Sequence, residues 1–205
     1  RAARALEAKI EELGPDNVAA FIAEPVQGAG GVIIAPGTYW PEVRRVLEKY
    51  DILLVMDEVI CGFGRTGKWF GNIFYGMKPD LMTFAKAVTN GYQPLGGVMV
   101  GERVAEVLTT RGGEFGHGFT YSGHPAACAA GLATLKILRE EKVIENVESV
   151  TGPHLARRWA ELADHPLVGE ARTLGLFGAL ELVKDKATRE RFAPGGRAGA
   201  VCRQA

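Results

Sequence analysis

Apolar residues fall into two rhythms along this chain. Helical spacing marks 2–13 through Ala5, Leu6, Ile10 and Leu13, and Gly14-Pro15 stops it. Trp40, Val43, Val46, Leu47 and Tyr50 form a second helical face, with Thr38 as its N-cap and Pro41 in its first turn. Unbroken apolar runs mark buried strands instead: 18–23 ahead of Glu24-Pro25, 52–56 ahead of Asp57-Glu58, and 81–85 ahead of Lys86. Gly28 to Gly31 reads as a flexible turn. Residues 97–100 predict another strand and 102–108 a helix. A glycine-rich loop over 112–118 precedes an alanine-rich helix over 125–139 and a second over 143–163. Asp164-His165-Pro166 marks a domain boundary, after which 168–183 alternates as a strand does.

Strand, helix, strand with continuous apolar strands predicts an α/β layer on a mostly parallel sheet. The expected division is 1–165 for this layer and 166–205 for the beginning of a smaller α+β domain. The 205 residues suffice for a core, and 47% apolar with 23% charged residues is ordinary for a globular protein. The 24 Lys and Arg balance the 24 Asp and Glu, so no global field favours nucleic acid or an acidic membrane. No apolar run approaches a membrane span. Cys61, Cys128 and Cys202 are few and widely spaced, which fits a reducing, cytoplasmic setting and no disulfide framework. They form no metal-ligand spacing with the histidines, so no metal site is expected. Arg1 opens directly on a helical pattern, and the stretch from Gly195 to Ala205 ends without a closing element. The chain is therefore expected to be a fragment.

Two glycine motifs fail on their context. Gly62-Phe63-Gly64-Arg65-Thr66-Gly67 has dinucleotide-binding spacing, but no helix starts within it and Asp57-Glu58 precede it. Gly62 to Lys68 nearly spells a phosphate loop, yet Trp69 stands where a magnesium-binding hydroxyl belongs.

Glu24, Asp57 and Lys86 each end an apolar strand, so all three face the carboxyl edge where open α/β sheets bind ligands. Each alone could be a capped surface charge. A buried lysine and a buried aspartate, however, both require partners. Pyridoxal phosphate asks for this pair: an amine to form a Schiff base with its aldehyde, and a carboxylate to keep its ring nitrogen protonated.

Four ordered motifs then carry a resemblance. They are Glu24-Pro25-Val26-Gln27-Gly28; Asp57-Glu58-Val59 with the run from Gly62 to Gly67; Ala85-Lys86 with Gly91 and Pro94-Leu95-Gly96-Gly97; and Gly118-Phe119-Thr120-Tyr121-Ser122-Gly123-His124-Pro125. Together they resemble the class III aminotransferases of pyridoxal-phosphate fold type I across nearly the whole chain. Gly28-Ala29-Gly30-Gly31-Val32-Ile33 and Gly67-Lys68-Trp69-Phe70-Gly71 are most similar to the branch acting on ω-amino acids, amines or polyamines with pyruvate.

The resemblance implies that 1–165 is the C-terminal portion of the cofactor-binding large domain and 166–205 the truncated start of the small one. It makes Lys86 the Schiff-base lysine and Asp57 the partner of the pyridinium nitrogen. Val59 would pack on the ring, and Thr120 would bind the phosphate across a homodimer interface with shared sites. Glu24 would organise the site or form a structural ion pair, and Arg65 would make a structural salt bridge or position a loop. Ala29 and Ile60 stand where many relatives have Glu and Gln, so a contact to the ring hydroxyl and a carboxylate switch are missing. A phosphate loop and stacking aromatic are expected before Arg1, and a carboxylate-binding arginine after Ala205. The implied activity is transfer of an amino group from such a donor to pyruvate or a similar 2-oxo acid. An aminomutase or decarboxylase on the same scaffold, or an inactive dimerising fragment, are the alternatives.

Overall fold

A computed structural model describes residues 1–193. Cys202 and the ending from Gly195 to Ala205 lie outside the described residues, as does the last part of the expected second domain. The first helix, α1 (Ala2–Leu13), precedes strands β1 (Ala20–Ala23), β2 (Val26–Gln27) and β3 (Ile33–Ile34). Helix α2 (Tyr39–Lys49) leads to β4 (Leu53–Asp57), a short α3 (Gly71–Phe74), β5 (Leu81–Phe84) and β6 (Gly97–Val100). Next come α4 (Glu102–Arg111), α5 (Pro125–Glu140), α6 (Val143–Asn146) and α7 (Gly152–Glu161), then β7 (Val168–Leu174), β8 (Phe177–Asp185) and β9 (Glu190–Arg191).

The main sheet runs β1-β4-β5-β6. The three strands β1, β4 and β5 are parallel, as the unbroken apolar runs predict, and β6 joins antiparallel. The predicted face of α2 buries Trp40, Val43, Val46 and Leu47 against Ile52, Leu54 and Met56, with Ile10 from α1. Thr38 occupies the N-cap position, but its side chain makes no capping bond. β1 departs from the expected buried strand. It begins at Ala20 and leaves Ile22 60% exposed, because it is an edge strand of the described sheet. The helix expected over 143–163 is broken by a π-turn at Val147–Thr151.

The failed glycine motif has a packing role. No helix starts within it; it crosses to the antiparallel β7-β8-β9 sheet. Leu176 N–H, in the β7–β8 turn, donates to the Arg65 carbonyl at 2.8 Å. Gly175 lies at φ 56°, and a β-carbon there would stand 2.8 Å from Thr66 Cα. On the other side Gly67 packs against Glu148 Cα, and Lys68 pairs with the Glu148 carboxylate. Arg65 itself is exposed and makes no ion pair among the described residues; its backbone positions the joint. No helix among the described residues is long and apolar enough to cross a membrane.

Gly175→Ala is expected to destabilise the protein by about 2–4 kcal/mol, combining left-handed strain with overpacking. The urea midpoint measures this.

Candidate active site

Parallel pairing sets the geometry of the carboxyl edge. Ala23 lies opposite Met56, so Glu24 stands level with Asp57. Asp57 in turn lies opposite Thr83, and Lys86 follows just past the end of β5. The structure therefore brings Glu24, Asp57 and Lys86 to one edge of three neighbouring strands.

Asp57 is half-buried. Its Oδ1 accepts from Val59 N–H at 3.0 Å and from the Thr83 hydroxyl at 3.2 Å. Among the described residues nothing donates to Oδ2. One oxygen is thus fixed by the strand and the other remains available to a cationic or N–H donor.

Lys86 differs from the burial expected of it: its side chain is exposed. β5 stops two residues earlier, and Lys86 opens a 3-10 turn over Lys86–Val88 that carries the chain out of the sheet. The turn places Lys86 at φ 51°, a left-handed conformation that costs a residue with a β-carbon about 1–2 kcal/mol. Val88 and Thr89 anchor the turn; both are buried, and the Thr89 hydroxyl bonds the Gln93 carbonyl. The amine has no acidic partner among the described residues. It borders an open hollow of about 650 Å³ lined also by Ala85, Gly91, Gln93 and Pro94.

Glu24 makes no ion pair among the described residues. Its Oε2 accepts from Gly28 N–H at 3.0 Å and so closes the turn before β2. Val59 is half-buried beside Asp57. Thr120 lies apart from this group. It is exposed in the segment between α4 and α5, five residues before α5 starts at Pro125.

Glu58 is a neighbour that sequence reasoning left undistinguished from Asp57. Strand alternation turns the two carboxylates to opposite faces. Glu58 is fully buried, and its oxygens accept from Gly71 N–H at 2.7 Å and Asn72 N–H at 2.6 Å, at the start of α3. Burial pushes its pKa up; the two amides oppose that shift and the Asp57 charge adds to it. Cys61 is also buried, donates to the Val26 carbonyl at 3.4 Å, and has its thiol pushed up to about 12 by burial. It is a packing residue and no nucleophile at neutral pH.

The profile of the family described as Aminotransferase class-III matches residues 1–205. The chain is 63% identical over 203 residues to the putrescine–pyruvate aminotransferase of Pseudomonas aeruginosa PAO1, covering 99% of this chain and 44% of that protein. It is 53% identical over 200 residues to the diaminobutyrate–2-oxoglutarate transaminase of Halomonas elongata, covering 94% of this chain and 42% of that one. Among solved structures, an (S)-enantioselective ω-transaminase from Thermomicrobium roseum matches with a TM-score of 0.88 and 51% identity, over 94% of this chain and 43% of that one. A transaminase from directed evolution by ancestral reconstruction matches with a TM-score of 0.92 and 52% identity, over 97% and 44%. The chain spans less than half the length of these relatives.

Because the folded state holds the Glu58 proton more tightly than the unfolded chain, stability falls as pH rises from about 4.5 through the raised pKa. Glu58→Gln is expected to abolish that fall. It is also expected to cost about 1–3 kcal/mol at neutral pH, since its amide can accept from only one of the two N–H donors. Urea midpoints at acid and neutral pH check both effects.

Proposed function

Since the chain belongs to the class-III aminotransferases, whose cofactor is pyridoxal phosphate, we propose that the protein carrying it moves an amino group from a primary amine to a 2-oxo acid. The observation that carries this reading is the placement of an unpartnered lysine amine and a half-satisfied carboxylate at one sheet edge.

The residues present fit the cofactor. Lys86 Nζ would hold its aldehyde carbon, and Asp57 Oδ2, the oxygen left open by Thr83 and Val59, would face its ring nitrogen. Val59 would support one face of the ring. Bound there, the cofactor supplies a protonated ring that accepts the electron pair left when a C–H bond of the amine breaks. Asp57 would keep the proton on the ring nitrogen through its negative charge. Lys86 Nζ, as a free amine, would take the proton from the amine-bearing carbon. Its left-handed backbone and the anchored turn behind it hold that nitrogen at the mouth of the hollow. Glu24 organises the edge through Gly28.

Thr120 belongs to a second copy's site in this reading. It stands among aromatics that no described residue covers, Phe119 at 78% and Tyr121 at 81% exposure. Such a patch fits a homodimer interface, with the Thr120 hydroxyl reaching the phosphate of the partner's cofactor. The donor class is an ω-amino acid, amine or polyamine, and the acceptor pyruvate or a similar oxo acid. Ala29 in place of a carboxylate suits this branch. The cysteine usage points to a cytoplasmic setting.

The test is a donor screen on the full-length protein with pyruvate, putrescine first. Stoichiometric alanine formation is expected, and product without consumption of oxo acid would contradict transamination. Lys86→Ala is expected to abolish turnover. Asp57→Asn is expected to lower it about a hundredfold or more, the ~3 kcal/mol typical of a broken buried charge pair. Near-normal turnover of the Asn variant would remove Asp57 from the role.

A further inference from the structure

The second sheet places two acids face to face: Glu170 on β7 lies opposite Glu181 on β8. Like charges in that position destabilise a strand pair unless a cation stands between them. Arg172, two residues along on the same face, is the cation that reaches both acids; Arg191 Nη2 also lies 3.4 Å from Glu181 Oε1. Arg172 Nη1 donates to Glu170 Oε2 and to Glu181 Oε2, both at 3.0 Å. The Arg172 side chain is only 18% exposed, whereas Glu170 and Glu181 are 48% and 35% exposed, so the guanidinium is shielded while the acids still meet solvent.

Both acids bind one end of the guanidinium, which leaves its other edge aimed away from the sheet. That edge meets the turn between β2 and β3. Nη2 and Nε both donate to the Gly31 carbonyl, at 2.8 and 3.2 Å. Gly31 sits at φ 115°, a conformation that excludes side chains, and a β-carbon there would lie 3.5 Å from Nη2. The far end of the same turn is tied to the candidate site. Gly28 N–H bonds Glu24, and Gly28 packs so closely on Ile60 that a β-carbon would meet it at 2.7 Å. Ala29 and Gly30, between these two anchors, are exposed.

We propose that Arg172 is a positioning residue that locks the Gly28–Val32 turn against the second sheet and so holds one border of the amine site, the turn that Glu24 closes at the carboxyl edge. The proposal rests on the aminotransferase reading for the identity of that site, not for the lock itself. The paired acids orient the guanidinium, and the two N–H donors hold one carbonyl. The turn then has no freedom to drift away from Ile60 and Glu24. Donor affinity depends on this border, whereas the proton transfer at Lys86 does not touch it.

The test removes the arginine without leaving bare acids. In the full-length protein, E170Q/E181Q keeps Arg172 on Gly31, and R172Q/E170Q/E181Q does not. The first is expected to show a KM for putrescine within about twofold of the parent. The second is expected to raise it about tenfold with kcat little changed, the factor typical of losing a charge-assisted hydrogen-bond set. R172K, whose ammonium lacks the planar fork that spans two acids and a carbonyl, should retain the parent KM only in part. Amide hydrogen exchange in the absence of cofactor gives an independent reading: peptides covering 26–34 should exchange faster in the triple variant while those from α2 and β4 do not. Unchanged exchange at 26–34, exchange that rises throughout the chain, or an unchanged KM with apparent kcat falling only as the folded fraction falls would overturn the proposal. Failure of the parent to turn over any donor would refute the aminotransferase reading and leave the exchange comparison to decide the lock.

Discussion

The parallel pairing of β4 with β5 is the constraint on which the rest depends. Its register sets Asp57 against Thr83, so the carboxylate ends one strand as the neighbouring strand runs out towards Lys86. A slip of one residue would turn Asp57 to the opposite face and bring Glu58 to the site in its place. The register is secured from both ends. Glu58 N–H donates to the Thr83 carbonyl, the Thr83 hydroxyl donates to Asp57, and below the site Leu54 N–H donates to Asp80. The core on α2 then fixes which face of β4 points inward, through Leu54 and Met56.

Burial divides the acidic pair after β4. Glu58 goes inward and is stabilised only because two amides of α3 meet it; Asp57 keeps one oxygen for a ligand. The same segment continues through buried Cys61 into the glycine-rich joint with the second sheet, where Arg65 and Thr66 receive the β7–β8 turn. The site edge and the second sheet are therefore linked twice, once through this joint and once through Arg172 and Gly31.

The parallel core and the candidate edge were largely legible in sequence, because unbroken apolar runs ending in Glu24, Asp57 and Lys86 encode both strand burial and strand direction. The exposure of Lys86 was not. Charge at a strand end says nothing of whether elements elsewhere cover it, and the left-handed turn there has no glycine to announce it. Glu58 was hidden by sitting beside Asp57, although strand alternation would have separated the two. Arg172 was hidden for another reason: its partners are a carbonyl 141 residues away and two acids whose opposition depends on the β7–β8 register. The glycine motif was rightly set aside as a nucleotide loop, yet its use as a joint needed the position of Gly175.

The central claim is that Lys86 is the lysine this sheet edge offers to the cofactor's aldehyde. Borohydride reduction of the full-length protein loaded with pyridoxal phosphate, followed by peptide mapping, tests it directly. The account predicts a phosphopyridoxyl label, one per chain, on the peptide containing Lys86. A label on any other lysine, or none on that peptide, would contradict it.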